Sequence, residues 1–305
     1  MSIATGAQLH PAEPAQLPAP GEVFLDHLGF FVPSLEPAAM VLQRSGFRLT
    51  PFTAHSNRVD GQLIAAGTGN RCAMLHRGYI EILTAIGDTP LAGQLRERLS
   101  RHHGLHLAAF ASADTAAEHS RLLAAGLPVL PLVDMRRAVA GTRGEEEAQF
   151  TIARVAPDTM AEGRTQFLTH HTPELVWREP DLDHPNGARA LGAVWIAAVD
   201  PAEPAERFAQ FTGRPPHRDG AVTTIALDRG SLHFATAEFL HRELAIAPGP
   251  PPPYLAACEI AVESLDHLRR ALDRTGLDHE PVTRGIILRL PAAIGGAIVF
   301  RARVD

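Results

Sequence analysis

The sequence predicts an α+β protein of four βαβββ modules, paired into two domains with curved mixed sheets. Three observations predict it. A strand recurs, as Asp26-His27-Leu28-Gly29-Phe30-Phe31 and as Leu105-His106-Leu107-Ala108-Ala109-Phe110. A strand–turn–strand recurs, as Leu75-His76-Arg77-Gly78-Tyr79-Ile80 and as Leu227-Asp228-Arg229-Gly230-Ser231-Leu232. Two turn-rich breaks, at residues 180–186 and in the proline run 248–253, fall between copies. Self-similarity on this scale marks a duplicated supersecondary unit.

The first module opens with the strand around His27. The turn Val32-Pro33-Ser34 follows, then an apolar-periodic stretch over 37–44 that stops at Ser45-Gly46, the pattern of a helix ended by glycine. A weaker strand near Gln62-Leu63-Ile64 precedes strands over 71–75 and 79–86, joined by the tight turn at Gly78. In the second module, residues 106–112 give the strand, 115–124 the helix, and 149–155 with 164–170 the later strands. The third module begins at Gly192 and the fourth at Leu255, with a final strand over 297–304. The expected organisation is a flexible tail over 1–23, one domain over 24–183 (modules 24–100 and 101–183), and a second over 184–305 (modules 186–247 and 254–305).

Composition fits a soluble protein with a core in each domain. The 305 residues carry a net charge of −6, which gives no pull toward nucleic acid or an anionic membrane. Every basic side chain is arginine apart from histidine; there is no lysine. Cys72 and Cys258 form no disulfide framework, which fits a reducing cytoplasm. No apolar run approaches the roughly 18 residues of a membrane span. The Ala-, Pro- and Gln-rich first residues lack the pattern of a signal peptide.

The module order, with the Asp26-His27-Leu28-Gly29 opening and the Tyr79-Ile80-Glu81-Ile82-Leu83 strand, resembles the vicinal oxygen chelate superfamily. That group holds glyoxalase I, extradiol dioxygenases and bleomycin-resistance proteins. Gly67-Thr68-Gly69-Asn70-Arg71-Cys72 and His171-Thr172-Pro173-Glu174-Leu175-Val176-Trp177 look like the bacterial glyoxalase-like domain proteins. The resemblance covers residues 24–305. It implies metal ligands on the first and last strands of two paired modules: His27 and His106 on the first strands, Glu81 and Gln166 three residues beyond Gly78 and Gly163 on the last. Two imidazoles and a carboxylate suit Zn, Fe, Mn, Co or Ni. A carboxylate between Ile80 and Ile82 is costly to bury without such a partner.

Glu81 is the expected catalytic base. Gln166, a carboxamide, offers a neutral ligand at best. Phe31, Phe110, Arg71 and His170 are expected to bind substrate, with Arg71 suited to a carboxylate and His170 at the pocket mouth. His102 and His103 are expected at the surface, and the Gly144-Glu145-Glu146-Glu147 run in a solvated loop. By the repeat, Val194, Ala257, His233 and Val299 occupy the ligand positions of the second domain, which then holds no metal.

The implied activity is that of a metal-dependent lyase or isomerase acting on a small substrate with vicinal oxygens, through an enolate-like intermediate. Two alternatives stay open: a non-haem iron dioxygenase using the two-His-one-Glu set, and a metal-free, ligand-sequestering binding protein. The implied partner is a small molecule, with neither nucleic acid nor membrane; pairing into a homodimer stays open.

Overall fold

The computed structural model describes residues 16–141 and 144–303. The first half runs β1 (Phe24–Phe31), α1 (Leu35–Arg44), β2 (Thr53–Val59), β3 (Gln62–Met74), β4 (Tyr79–Ala85), α2 (Pro90–Arg101), β5 (Gly104–Ala111), α3 (Thr115–Ala124), β6 (Val133–Gly141), β7 (Gly144–Arg154) and β8 (Arg164–His170). After α4 (Glu179–Leu182), the second half runs β9 (Ala188–Ala197), α5 (Ala202–Thr212), β10 (Pro216–Asp219), β11 (Val222–Ala226), β12 (Ser231–Ala235), α6 (Ala237–Leu244), β13 (Tyr254–Val262), α7 (Leu265–Asp273), β14 (His279–Val282), β15 (Gly285–Arg289) and β16 (Ala297–Ala302).

The order within each module is the expected one. The first eight strands close into a barrel, β1-β4-β3-β2-β6-β7-β8-β5. The closure comes from β2 pairing antiparallel with β6, His55 opposite Arg137 and Asn57 opposite Met135. Eight strands leave an interior that side chains fill or that holds one small ligand. The second eight form a mixed sheet, β10-β11-β12-β9-β13-β16-β15-β14, whose outer strands β10 and β14 are four residues each. Strands that short present little unpaired edge.

The two sheets pack outer face to outer face. Phe30 and Phe110 from the barrel meet Phe211, Val194, Leu255 and Phe300 in one continuous core. β1 is therefore buried along its whole length, one face to the barrel interior and the other to this core. The recurrent turns interlock: the Leu25 amide donates to the Arg229 carbonyl and the Leu191 amide to the Arg77 carbonyl, each at 2.8 Å. Both turns need glycine. A Cβ on Gly78 (φ +74°) would lie 2.7 Å from the Asp26 carbonyl oxygen, and one on Gly230 (φ +87°) 2.7 Å from Leu25 Cβ.

Several expectations are corrected. The first fifteen residues of the expected tail lie outside the described residues. From Gln16 onward, however, the chain is docked: Val23 is buried and its amide donates to Asp228 Oδ2 at 2.8 Å. The Glu147 region is not a loop but part of β7, where Glu147 pairs with Arg58 at 3.4 Å. The 180–186 break is not exposed throughout, since Asn186 and His184 are buried. Asn186 donates to the Ser45 carbonyl at 2.9 Å, and His184 hydrogen-bonds the Met74 carbonyl at 2.6 Å.

Candidate active site in the barrel

The barrel interior is a cavity of about 40 Å³. β1 and β4 run parallel with Gly29 beside Glu81, and β5 and β8 repeat this with Ala109 beside Gln166. His27, Glu81 and Gln166 all line the cavity. Glu81 and Gln166 therefore stand at equivalent positions.

His106 does not join them. It sits at a β-bulge: Gly29 pairs with Leu107, but Phe30 pairs with Leu105. The bulge takes His106 out of the alternation, as bulges do. Its Nε2–H donates to the His102 carbonyl at 2.9 Å, and its ring stacks on Phe31 at 5.2 Å and on His102 at 4.0 Å. Burial, and then His102, push its pKa down to about 3, so the ring is neutral.

The pairing shows why sequence register misplaces it. His27 faces Ala109 and Gly29 faces Leu107, so the two modules are related by an offset of 80 residues rather than 79. The counterpart of His27 is Leu107, which lines the cavity. The counterpart of His106 is Asp26, itself at a bulge between the Leu25 and His27 pairings. Phe110 corresponds to Phe30 and lies in the core between the sheets, stacked near Phe167 and Phe211. Phe31 packs instead with Leu83, Leu95 and Leu107. Arg71 is on the outer face of β3, its Nε donating to the Thr50 carbonyl at 2.9 Å.

Asp26 and His170 build the support of His27. Asp26 is fully buried and accepts from His27 Nδ1–H at 2.7 Å and from His170 Nε2–H at 2.9 Å. Burial works to raise its pKa, but the two imidazoles outweigh that and hold the carboxyl well below the usual carboxylate range. Because Asp26 takes the Nδ1 proton, the Nε2 lone pair of His27 is left for the cavity, where it lies 3.9 Å from Glu81 Oε2. A carboxylate that fixes the tautomer in this way is the usual companion of a metal-binding or base-assisting histidine. His27 also stacks on Tyr79 at 4.4 Å, and the His170 ring packs at a tilt against Trp177 at 4.6 Å.

The residue that sequence reasoning missed is His55. It lies on β2, where Thr53-Ala54-His55-Ser56-Asn57-Arg58-Val59 shows no apolar alternation to announce a buried face. Only the closure with β6 turns that strand inward. His55 Nδ1 is bonded to Thr68 Oγ1 at 3.2 Å, and its Nε2 approaches Glu81 Oε1 at 4.0 Å. That Nε2 is buried and lacks a hydrogen-bond partner among the described residues. Burial pushes the His55 pKa down to about 4, leaving a neutral ring with a free lone pair. Asn70 donates to Glu81 Oε1 and steers the carboxylate between the two rings.

Donor chemistry thus fits a divalent metal at His27, Glu81 and His55: two neutral imidazoles, one carboxylate, and one buried nitrogen lacking a partner. Among the described residues, no three His, Cys, Asp or Glu side chains are already gathered at metal-holding distance. Gln166 is turned to Arg154, whose Nε donates to its Oε1 at 3.1 Å.

The second sheet carries no such set. The pairings of β9 with β12 and β13 put Ala193, not Val194, at the His27 position. His233, Ala257 and Val299 match Glu81, Leu107 and Gln166. His233 is bonded on both nitrogens, to Thr224 Oγ1 at 2.9 Å and Ser231 Oγ at 3.0 Å, under the ring of Trp195.

Comparison with known proteins agrees with this architecture. No curated protein matches the chain. Among solved structures, a hypothetical protein from Staphylococcus aureus aligns over 92% of this chain and 100% of its own, with TM-score 0.61 and 10% identity. A mutant of 4-hydroxymandelate synthase from Streptomyces coelicolor aligns over 93% and 94%, with TM-score 0.56 and 13% identity. The Mn(II)-bound glyoxalase from Novosphingobium aromaticivorans aligns over 93% and 83%, with TM-score 0.53 and 10% identity. Identities this low speak for the fold alone. A model of the glyoxalase-like domain matches residues 25–212, which spans the whole barrel and runs into α5. On that match, over more than half of its length, the chain belongs to the glyoxalase-like domain family, within the vicinal oxygen chelate superfamily.

Proposed function

We propose that the barrel is the active site of a metal-dependent lyase or isomerase that moves a proton on a small substrate with vicinal oxygens. The observation that carries this is Glu81, 5% exposed, set between the Nε2 atoms of His27 and His55. A divalent metal held there would act as a Lewis acid toward the substrate oxygens.

The chain's own residues supply the rest. Asn70 fixes one oxygen of Glu81, leaving Oε2 to take a proton from the carbon beside the substrate carbonyl and return it to the neighbouring carbon. Asp26 holds the His27 tautomer, and His170 holds Asp26, so His170 is a positioning residue and not a pocket wall. Leu83, Leu91, Leu107 and Phe150 line the cavity and exclude water, which strengthens every charge–charge interaction inside it.

The test is metal content of protein purified without added metal, with variants. His27→Ala, His55→Ala and Glu81→Gln are each expected to lose bound metal, and His106→Ala to keep it. Stoichiometric metal in Glu81→Gln, or its loss in His106→Ala alone, overturns the assignment. A two-imidazole, one-carboxylate set is also that of non-haem iron oxygenases. Iron as the resident metal, with substrate-dependent oxygen uptake, would select that second reading.

A further inference from the structure

Three successive strands of the cavity wall, β6, β7 and β8, each contribute an arginine. Arg137, Arg154 and Arg164 all line the cavity, against Glu81 as the one carboxylate among the lining residues described. Even with Asp26 counted behind His27, positive charge is in excess, and a divalent metal would add to it. Buried cations are ordinarily paired. Here, among the described residues, no carboxylate lies within ion-pair distance of any of the three.

Their contacts are weak ones. Arg137, 7% exposed, has Nη1 at 3.9 Å from Cys72 Sγ and its guanidinium 5.6 Å above the Phe150 ring; its Nε has no partner among the described residues. Arg164 lies 5.2 Å over the Phe31 ring, and its buried Nη2 has no partner among the described residues. Arg154 reaches only the neutral Gln166. Burial lowers the pKa of Arg154 to about 10 and of Arg164 to about 9, still charged at neutral pH.

Arg154 and Arg164 also line a second cavity of about 40 Å³ beside α2, with Arg98, Arg101 and two carboxylates, Glu97 and Asp158, that pair with Arg101 at 3.1 and 4.0 Å. Each cavity is larger than the roughly 10–15 Å³ that one water needs. The barrel cavity has the arginines, His27 and Glu81 on one lining, so a small anion can keep its charged end on the arginines and turn the rest toward His27 and Glu81.

We propose that the ligand of the barrel is a small organic carboxylate, its carboxyl group seated on the free guanidinium donors of Arg137 and Arg164. This rests on the reading of the barrel as the substrate site and adds the charge of what enters it. Guanidinium groups with free donors suit a carboxylate because the two planar groups can pair through parallel hydrogen bonds.

The test is calorimetric titration of the full chain, stripped of metal with chelator and kept in chloride-free buffer. The probes are lactate, malonate and benzoate, the corresponding uncharged amides, and inorganic phosphate. At least one carboxylate is expected to bind saturably at one site, at least about tenfold more tightly than its amide. Arg137→Gln and Arg164→Gln are each expected to weaken that binding about tenfold or more, and Arg137→Lys, which keeps the charge but loses the fork, by less. The melting temperature of the ligand-free Arg→Gln variants should hold or rise, because an unpaired buried cation has been removed; a purely structural arginine would lower it.

Absence of saturable binding by every carboxylate, equal binding of the amides, or unchanged affinity in the Arg137→Gln/Arg164→Gln double variant overturns the proposal. A preference for phosphate overturns the carboxylate assignment. Because the titration uses metal-free protein, anion binding without metal uptake would refute the metal-site reading alone, and metal uptake without anion binding would refute this proposal alone.

Discussion

Asp26 is the residue on which the candidate site hangs. It is fully buried and shared between His27 and His170 through its two oxygens, so an asparagine there keeps one acceptor and sets an NH2 donor against the other imidazole N–H. Asp26→Asn is expected to destabilise the protein by about 3 kcal/mol, the scale of breaking a buried charged pair. It should also weaken metal binding about 10–100-fold by freeing the His27 tautomer. Denaturant unfolding and metal titration check the two effects separately; a variant with wild-type values in both would refute the role. His106 gives the pH dependence. Its folded pKa, about 3, lies below the ordinary value of 6.5, so between those limits the unfolded chain binds the extra proton. Its contribution is fully present above pH 6.5 and declines as pH falls toward 3, at up to about 1.4 kcal/mol per pH unit. Asp26, held low, loses its contribution only as pH drops below about 4, its unfolded value. Unfolding free energies of metal-free protein from pH 7 to 5 should therefore fall with pH, and fall less in His106→Gln. An unchanged slope in that variant would show that His106 is not buried neutral.

At the scale of elements, the strand repeat was legible because hydrophobic alternation and the turn glycines survive in each copy. The last-strand register was legible too: Gly78 and Gly163 set Glu81 and Gln166 onto one cavity, as counting from the turn predicts. What a one-dimensional register cannot carry is a bulge. Matching bulges at Asp26 in β1 and His106 in β5 set the equivalence at 80 residues, not the 79 of the matched letters, and His106 and Phe110 lie away from the cavity. Nor can it show closure. β2 lacks apolar alternation and β6 has Arg136-Arg137 at its middle, so His55 and Arg137 look like surface residues until the strands pair and turn them inward. The corrected register makes its own prediction. Leu107 is the counterpart of His27, so Leu107→His places an imidazole where the pseudo-symmetry offers a ligand position. It is expected to tighten Co(II) or Zn(II) binding by about tenfold, one additional neutral nitrogen donor being the change. Ala108→His, one residue later, should leave affinity unchanged or lower it. Tighter binding in Ala108→His than in Leu107→His would return the repeat to another register.

For the whole molecule, the second sheet covers the outer face of the barrel through one shared core. Its ligand positions hold Ala193, Ala257 and Val299, and His233 is already bonded on both nitrogens, so a chain with His27 and Glu81 both replaced should bind no metal at all. The covering role is large. Phe30, Phe47, Phe110 and Phe167 belong to one core with Phe211, Phe300 and Leu255; the Phe167 and Phe211 rings stack at 4.7 Å and Phe47 meets Phe300 at 6.2 Å. Each phenylalanine bared by removing the partner forgoes about 1.5–3 kcal/mol of burial. Arg207 also pairs with the buried Glu162, whose carboxylate would be left alone. A chain ending after Asp183 keeps every strand of the barrel, yet turns that whole apolar face to water, and contiguous apolar surface of this kind drives association. The fragment is therefore expected to aggregate or to bind a hydrophobic dye strongly, even where circular dichroism still reports its strands. If it instead stays monomeric in sedimentation, binds no dye and takes up metal as the full chain does, the barrel is self-sufficient and the supporting role of residues 184–305 falls.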